Sequence, residues 1–168
     1  MRTAIVRVGT GLGLAVVATG VVFVTGMRAK SPPVVNTVRK LGRTTRPLLI
    51  RSAGTPGAAA AVVRHVGRSS GREYETPVVA VPTDDGYVVA LPYGPVADWT
   101  RNVLAGGPAA IVHDGVVHEV AAPTVVPLAA VGELFSPADQ RAHRLFGVAE
   151  ALRVRTVAAD TEEPQPSV

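Results

Sequence analysis

Cysteine is absent from all 168 residues, which excludes disulfide staples, thiolate zinc sites and cysteine nucleophiles. Aromatic residues are scarce, with one Trp, three Tyr and three Phe, so a core must be packed by small and β-branched side chains. That composition favours strands over helices. Carboxylates are missing from the first 72 residues, which carry twelve Lys and Arg, while the rest carries five Arg against thirteen Asp and Glu. The net charge of +4 hides this division, and Glu73 is the first acid in the chain. A basic front half suits an anionic lipid surface or an acidic small molecule. Nucleic acid is disfavoured: a long apolar run interrupts the basic residues, and no groove-reading helix or base-stacking aromatic pattern accompanies them.

Twenty consecutive uncharged residues run from Val8 to Met27, about the length that crosses the hydrocarbon core of a bilayer as a helix. A cleaved signal peptide is the rival reading, but no convincing small-x-small cleavage site follows the run. Arg28, Lys30, Arg39, Lys40, Arg43 and Arg46 lie beyond it and outnumber Arg2 and Arg7 before it. Positive-inside bias then places the rest of the chain at the cytoplasmic face of the cell membrane, with these cations against anionic lipids. Gly9, Gly11 and Gly13 imitate a dinucleotide fingerprint, but no strand precedes them and no βαβ unit surrounds them. Gly9 and Gly13 also form a small-xxx-small pair, which glycine tolerated in a membrane helix explains as well.

The expected organisation is a membrane anchor over residues 1–30, then a basic linker with a short amphipathic helix over 31–57. A globular domain follows over 58–157, and a disordered acidic tail over 158–168. Within the domain, Ala58 to Val66 and Thr76 to Pro82 read as strands, and Asp84-Asp85-Gly86 turns into a third from Tyr87 to Leu91. Val96 to Ala105 has helical spacing, and Ala109 to Val125 reads as a hairpin turning at Asp114-Gly115. Ser136-Pro137 is an N-cap with proline at N1, opening a helix expected to reach Arg153 or Arg155. Helices that do not alternate with every strand describe a small, mainly antiparallel barrel rather than a doubly wound sheet.

The segment Gly67-Arg-Ser-Ser-Gly-Arg-Glu-Tyr-Glu-Thr-Pro77 joins two of these strands through a basic, glycine-hinged loop. Gly67 and Gly71 can turn successive N–H groups toward one point, Arg68 and Arg72 add charge, and Ser69 and Ser70 add hydroxyl donors. Such a loop can hold a phosphate or carboxylate, although the same residue types also serve an ordinary solvated connection. A second cluster, Tyr93-Gly94 followed by Asp98-Trp99 and Asn102, places Asp98 and Asn102 on one helix face. Trp99 also reads as a simple core anchor.

Together these two clusters resemble the deazaflavin-dependent nitroreductase family of actinobacteria, whose members use reduced coenzyme F-420. The resemblance covers roughly Val62 to Val126 and rests on both motifs standing in this order. It implies a mainly β fold, a flavin-reductase-like split β-barrel with short helices, here preceded by the N-terminal transmembrane helix. It also implies an oxidoreductase that delivers hydride from the deazaflavin to a quinone or nitro compound, with FMN as the alternative ligand. The coenzyme's tail is polyanionic, and Arg64, Arg68, Ser69, Ser70, Gly71 and Arg72 supply the guanidinium forks and donors such a tail needs. Thr76, Pro77, Tyr93, Gly94, Trp99 and Asn102, with Asp98 beside them, match the positions that line the ring slot in the family. Some members place tyrosines in the C-terminal helix, whereas this chain has none after Tyr93. Tyr93 and His143 are then the candidate proton donors. A tethered, non-catalytic carrier of a flavin-like ligand is the alternative.

Two other constellations fail on context. Gly67-Arg-Ser-Ser-Gly71 satisfies the G-x-S-x-G nucleophile elbow, with Asp98 and His143 downstream, but the elbow must lead into a helix and here leads into a strand. His113 and His118 flank a turn, yet a two-residue loop pairs them with Val116 and Ile111 rather than with each other, and no third metal ligand stands nearby. His65, beside the basic loop, reads either as an anion contact or as a plain strand histidine.

Overall fold

The computed structural model describes residues 21–37, 40 and 50–157. Seven strands form one antiparallel sheet: β1 (Ala61–Val66), β2 (Glu73–Val78), β3 (Ala80–Thr83), β4 (Gly86–Ala90), β5 (Ala109–His113), β6 (Val116–Pro127) and β7 (Glu150–Thr156). Their order across the sheet is β2-β1-β5-β6-β7-β4-β3. The two outermost strands are consecutive in the chain, separated by Val79 alone, so the sheet curls into a half-barrel whose edges run into one another. Two α-helices are interleaved with the strands, α1 (Asp98–Leu104) and α2 (Pro137–Phe146).

Period-two alternation decides which side chains fill the barrel. Ala61 and Val63 of β1, Tyr87 and Val89 of β4, Ile111 of β5, Val120 of β6, and Leu152 and Val154 of β7 form the interior cluster. Val103 of α1 belongs to it and Trp99 packs against it, so α1 closes one rim. The opposite faces of β4 and β7 are covered as well. Val88, Ala90 and Ala151 pack with Leu128 and Phe135 from the segment leading into α2. With both faces covered, all five residues of β4 are buried, which explains why it reads as an unbroken apolar run.

The hairpin at Asp114-Gly115 has the expected register, with His113 opposite Val116 and His118 opposite Ile111. Tyr87 packs against both imidazoles, at ring-centroid distances of 5.7 and 5.4 Å. The stretch expected as one strand from Thr76 to Pro82 is two, and the first begins earlier, at Glu73.

The closing helix is shorter than the sequence reading. Ser136 caps it by accepting from the Asp139 amide at 3.1 Å, but α2 ends at Phe146, with Gly147 in the left-handed conformation. Residues expected at its C-terminal end form β7, which lies between β6 and β4 in the middle of the sheet. Ala151, Leu152 and Val154 are buried there, while Arg153 and Arg155 reach Asp85 at the β3–β4 turn.

Most of the expected membrane span, residues 8–20, lies outside the described residues, as do the tail from 158 and linker residues 41–49. Among the described residues no helix is long and apolar enough to cross a membrane. Residues 21–28 are helical and dock on α2. Phe23 meets the Phe146 ring edge-on at 6.0 Å, and Arg28 Nη1 donates to the carbonyls of Arg144 and Leu145 at the end of α2.

Candidate functional site

Antiparallel alternation brings the C-terminal ends of β1 and β4 to one rim, where the 67–72 loop, the 92–97 connection and α1 meet. The loop between β1 and β2 is tightly folded. Gly67 N–H donates to the Arg72 carbonyl at 2.8 Å, and the Gly67 carbonyl accepts from both Ser70 and Gly71, at 3.2 and 2.8 Å. Two glycines are demanded here: a Cβ on Gly67 would stand 2.7 Å from the Tyr74 ring, and Gly71 has φ +64°. This closure corrects the expected cradle of free amides. The N–H groups of Gly67, Arg68, Ser70, Gly71 and Arg72 all donate within the protein. Apart from the Ser69 N–H, side chains rather than peptide donors are what the loop offers an anion.

Arg68 turns onto α1. Its Nη1 donates to Asn102 Oδ1 at 2.8 Å and to the Asp98 carbonyl at 3.4 Å, while its backbone N–H also reaches Asn102 Oδ1 at 3.3 Å. The Asp98 carboxylate stands 3.8 Å from Arg68 Nη2. Behind this contact, Asn102 Nδ2 lies 3.2 Å from His65 Nδ1, and His65 Nε2 lies 3.3 Å from Thr76 Oγ1. Tyr74 stacks on the His65 ring at 5.7 Å, and its hydroxyl meets Ser70 Oγ at 3.2 Å. His65 and Asn102 are 5% and 7% exposed, so a buried polar chain runs from the barrel interior to the half-exposed Arg68 guanidinium.

Six expected site residues therefore meet at this rim or its loop: Arg68, Ser70, Gly71, Thr76, Asp98 and Asn102. Ser69 and Arg72 are exposed on the same loop, and among the described residues Arg72 has no carboxylate partner. Trp99 packs inward beside them.

Other expected site residues are placed elsewhere. Arg64 and Pro77 alternate with His65 and Thr76, so they occupy the opposite face of β1 and β2, and Arg64 Nε donates to Glu75 at 3.0 Å there. Tyr93 and Gly94 share the rim but sit toward the start of β7: a Cβ on Gly94 would contact Lys30 Nζ and Glu150 Oε2. Lys30 and Glu150 face each other at 3.8 Å. His143 packs edge-on against Phe135 at 4.8 Å, in the layer outside the sheet, across the wall from His65. Burial holds its imidazole below the ordinary value, the Asp139 carboxylate opposes this in part, and its Nδ1 is buried without a hydrogen-bond partner. His143 is a packing residue and not a donor to the Arg68 cluster.

Tyr74 was missed as a site residue because the acids on either side read as loop. Its alternation with Thr76 and Val78 is the signal that places it on the same strand face as His65's partner Thr76, where it stays 38% exposed.

A scan against models of known protein families found no match, and a search of curated proteins found none. Among solved structures, the chain is distantly similar to a protein of unknown function from Agrobacterium tumefaciens, at 13% identity over 68% of this chain with a TM-score of 0.42. It spans 55% of that protein's length. It is also similar to a protein described as a domain-swapped dimer, at 12% identity, covering 71% of this chain and 99% of that one, with a TM-score of 0.43. HutZ, the heme storage protein from Vibrio cholerae, is similar at 14% identity over 61% of this chain and 84% of its own, with a TM-score of 0.40. None of these likenesses assigns an activity.

Proposed function

We propose that this chain is a deazaflavin-dependent oxidoreductase, a flavin-reductase-like split barrel that uses reduced coenzyme F-420 to reduce a lipophilic acceptor such as a quinone or nitro compound. The observation that carries this reading is the 2.8 Å bond between Arg68 and Asn102, which joins the two sequence motifs into one rim site although they lie 34 residues apart. Side chains at the loop suit the anionic tail of the coenzyme. Among the described residues Arg72 has no carboxylate partner, Ser69 is exposed, and Arg68 keeps part of its guanidinium toward solvent. When bound, the reduced deazaflavin supplies the hydride. The chain's own part is to grip the tail through Arg68 and Arg72 and to hold that grip in register with α1 through Asn102. The uncharged run from Val8 to Met27 supports attachment to the cell membrane, with the barrel on the cytoplasmic side and an acceptor that arrives from the bilayer.

A second reading, a membrane-tethered carrier that binds the ligand without turnover, is favoured by one specific observation. His143, one of the two expected proton donors, packs on Phe135 in the layer outside the sheet and does not join the Arg68 cluster. One experiment separates the two. Full-length chain in detergent is mixed with reduced coenzyme F-420, and menadione is then added. Steady oxidation supports the reductase, binding without oxidation supports the carrier, and no binding overturns both.

A further inference from the structure

We propose, resting on the membrane attachment inferred above, that the apolar N-terminal segment does not cross the bilayer but lies in one leaflet, with the C-terminal end of α2 drawn into the headgroup layer beside it. The end of the apolar run is already engaged. Of the twenty uncharged residues from Val8 to Met27, the last five belong to the stretch docked on the barrel domain. Phe23 meets the Phe146 ring edge-on, Met27 is 5% exposed, and Arg28, the next residue, donates to the α2 carbonyls of Arg144 and Leu145. Lys30 adds a contact with Glu150 at 3.8 Å. The helix also stops there. Lys30 has φ +49°, the Ser31 N–H donates to the Gly26 carbonyl at 2.8 Å, and the chain folds back so far that a Cβ on Gly26 would overlap Val34.

Length then decides the topology. Fifteen uncharged residues, Val8 to Val22, are left before the docked ones. In hydrocarbon a backbone must satisfy its own hydrogen bonds, so the most these residues can reach is a helix of about 22 Å, against about 30 Å of bilayer core. Arg7 bounds the run on the other side, so lengthening it there would carry a guanidinium into the hydrocarbon. Recovering the full twenty residues would instead expose Met27 and take Arg28 off the end of α2. A run of this length with cations at both ends fits a single leaflet.

The neighbouring surface suits that placement. Leu145, whose carbonyl Arg28 holds, is 50% exposed, and Val21, Val22 and Phe23 are exposed on the docked helix. Arg28, Arg141 and Arg144 are exposed within one turn of these contacts, which sets cations beside an apolar spot, as an anionic leaflet requires. Asp139 of α2 and Glu150 at the start of β7 are engaged by Ser136 and Lys30. The docked turn also passes the rim, since a Cβ on Gly94 would stand 3.2 Å from Lys30 Nζ. A lipophilic acceptor leaving the leaflet then meets the rim at Lys30 and Gly94.

The chain lacks cysteine, so single thiols report position without background. Leu145 and Glu119 are exposed, so a thiol at either leaves the core intact, and Glu119 lies at the end of the β6–β7 ladder opposite Glu150. Full-length Leu145→Cys and Glu119→Cys are spin-labelled and bound to vesicles of phosphatidylcholine and phosphatidylglycerol. Oxygen, which concentrates in lipid, should relax the Leu145→Cys label several-fold more than a water-soluble nickel complex does, and the reverse should hold at Glu119→Cys. In bacterial spheroplasts, Thr3→Cys and Glu119→Cys should both resist a membrane-impermeant maleimide and both react after lysis in detergent. Labelling of Thr3→Cys but not Glu119→Cys in intact spheroplasts would reveal a spanning helix and overturn the proposal, as would a Leu145→Cys label that stays in water. Failure of the wild-type chain to float with the vesicles overturns the membrane attachment instead.

Discussion

Replacing Asn102 with leucine removes the central link of the rim cluster while keeping the branched heavy-atom skeleton, and its cost can be worked from the contacts. His65 Nδ1 loses its 3.2 Å hydrogen bond with the Asn102 amide in a site where the residue is only 5% exposed, and losing such a buried hydrogen bond costs about 1–3 kcal/mol. Arg68 loses its 2.8 Å bond, but its side chain is 36% exposed, so water replaces part of that bond and the further loss is about 1 kcal/mol. Asn102→Leu should therefore destabilise the domain by about 2–4 kcal/mol. With an ordinary urea dependence, that moves the midpoint down by roughly 1–2 M. Trp99, the sole tryptophan, sits on α1 three residues from the change and packs on the barrel core, so its fluorescence reports the transition directly. Arg68→Ala alone should cost about 1 kcal/mol or less, and the double variant should be less destabilised than the sum, because the two residues share one contact. A loss below about 1 kcal/mol for Asn102→Leu, or strict additivity with Arg68→Ala, would refute the view that this chain of hydrogen bonds supports the rim.

Gly86→Ala tests the pairing of β4 with β7, because the added methyl would overlap the Val154 carbonyl oxygen and stand 2.8 Å from Arg155 Cα. A loss above about 3 kcal/mol or a failure to fold is expected by circular dichroism and thermal unfolding, and an unchanged melting temperature would contradict the pairing. His143 is held below its unfolded value by burial, so the folded state resists its protonation. The associated stability is present above about pH 6.5 and declines as the pH falls further. His143→Leu should flatten that acid limb in urea titrations at several pH values, and an identical limb would rule out the assignment. Arg68 and Arg72 changed together to Ala should weaken coenzyme F-420 far more than a tail-less deazaflavin. Equal weakening of both ligands, measured by fluorescence titration, would exclude the tail contact.

Several parts of this architecture were legible before any coordinates. The Asp114-Gly115 hairpin came out in the expected register because a two-residue turn leaves no freedom in pairing. The Ser136-Pro137 helix start was equally readable, since capping is local chemistry. Where that helix ends was misjudged: Gly147 stops α2, and the alternation Leu152, Arg153, Val154, Arg155 is that of a strand with one buried face. Helical momentum from a good N-cap outweighed a period-two signal only a few residues long. In the site, the Arg68 loop and Asn102 could be read as motifs. Arg64 and Pro77 could not be excluded, because which strand face a residue occupies depends on a register that only long-range pairing sets. His143 was misplaced for a related reason, since the layer that α2 covers follows from β7 entering the sheet.

The union of β2 and β3 through Val79 has a bearing on solubility. These are the two strands of the ladder with an unpaired flank, and they are six and four residues long. Pro77 and Pro82 each delete a peptide donor there, and Glu73 and Glu75 add negative charge to the longer one. Short, proline-bearing, charged margins are poor templates for a second chain to extend the sheet, so self-propagating strand addition is discouraged in a protein otherwise rich in valine and alanine.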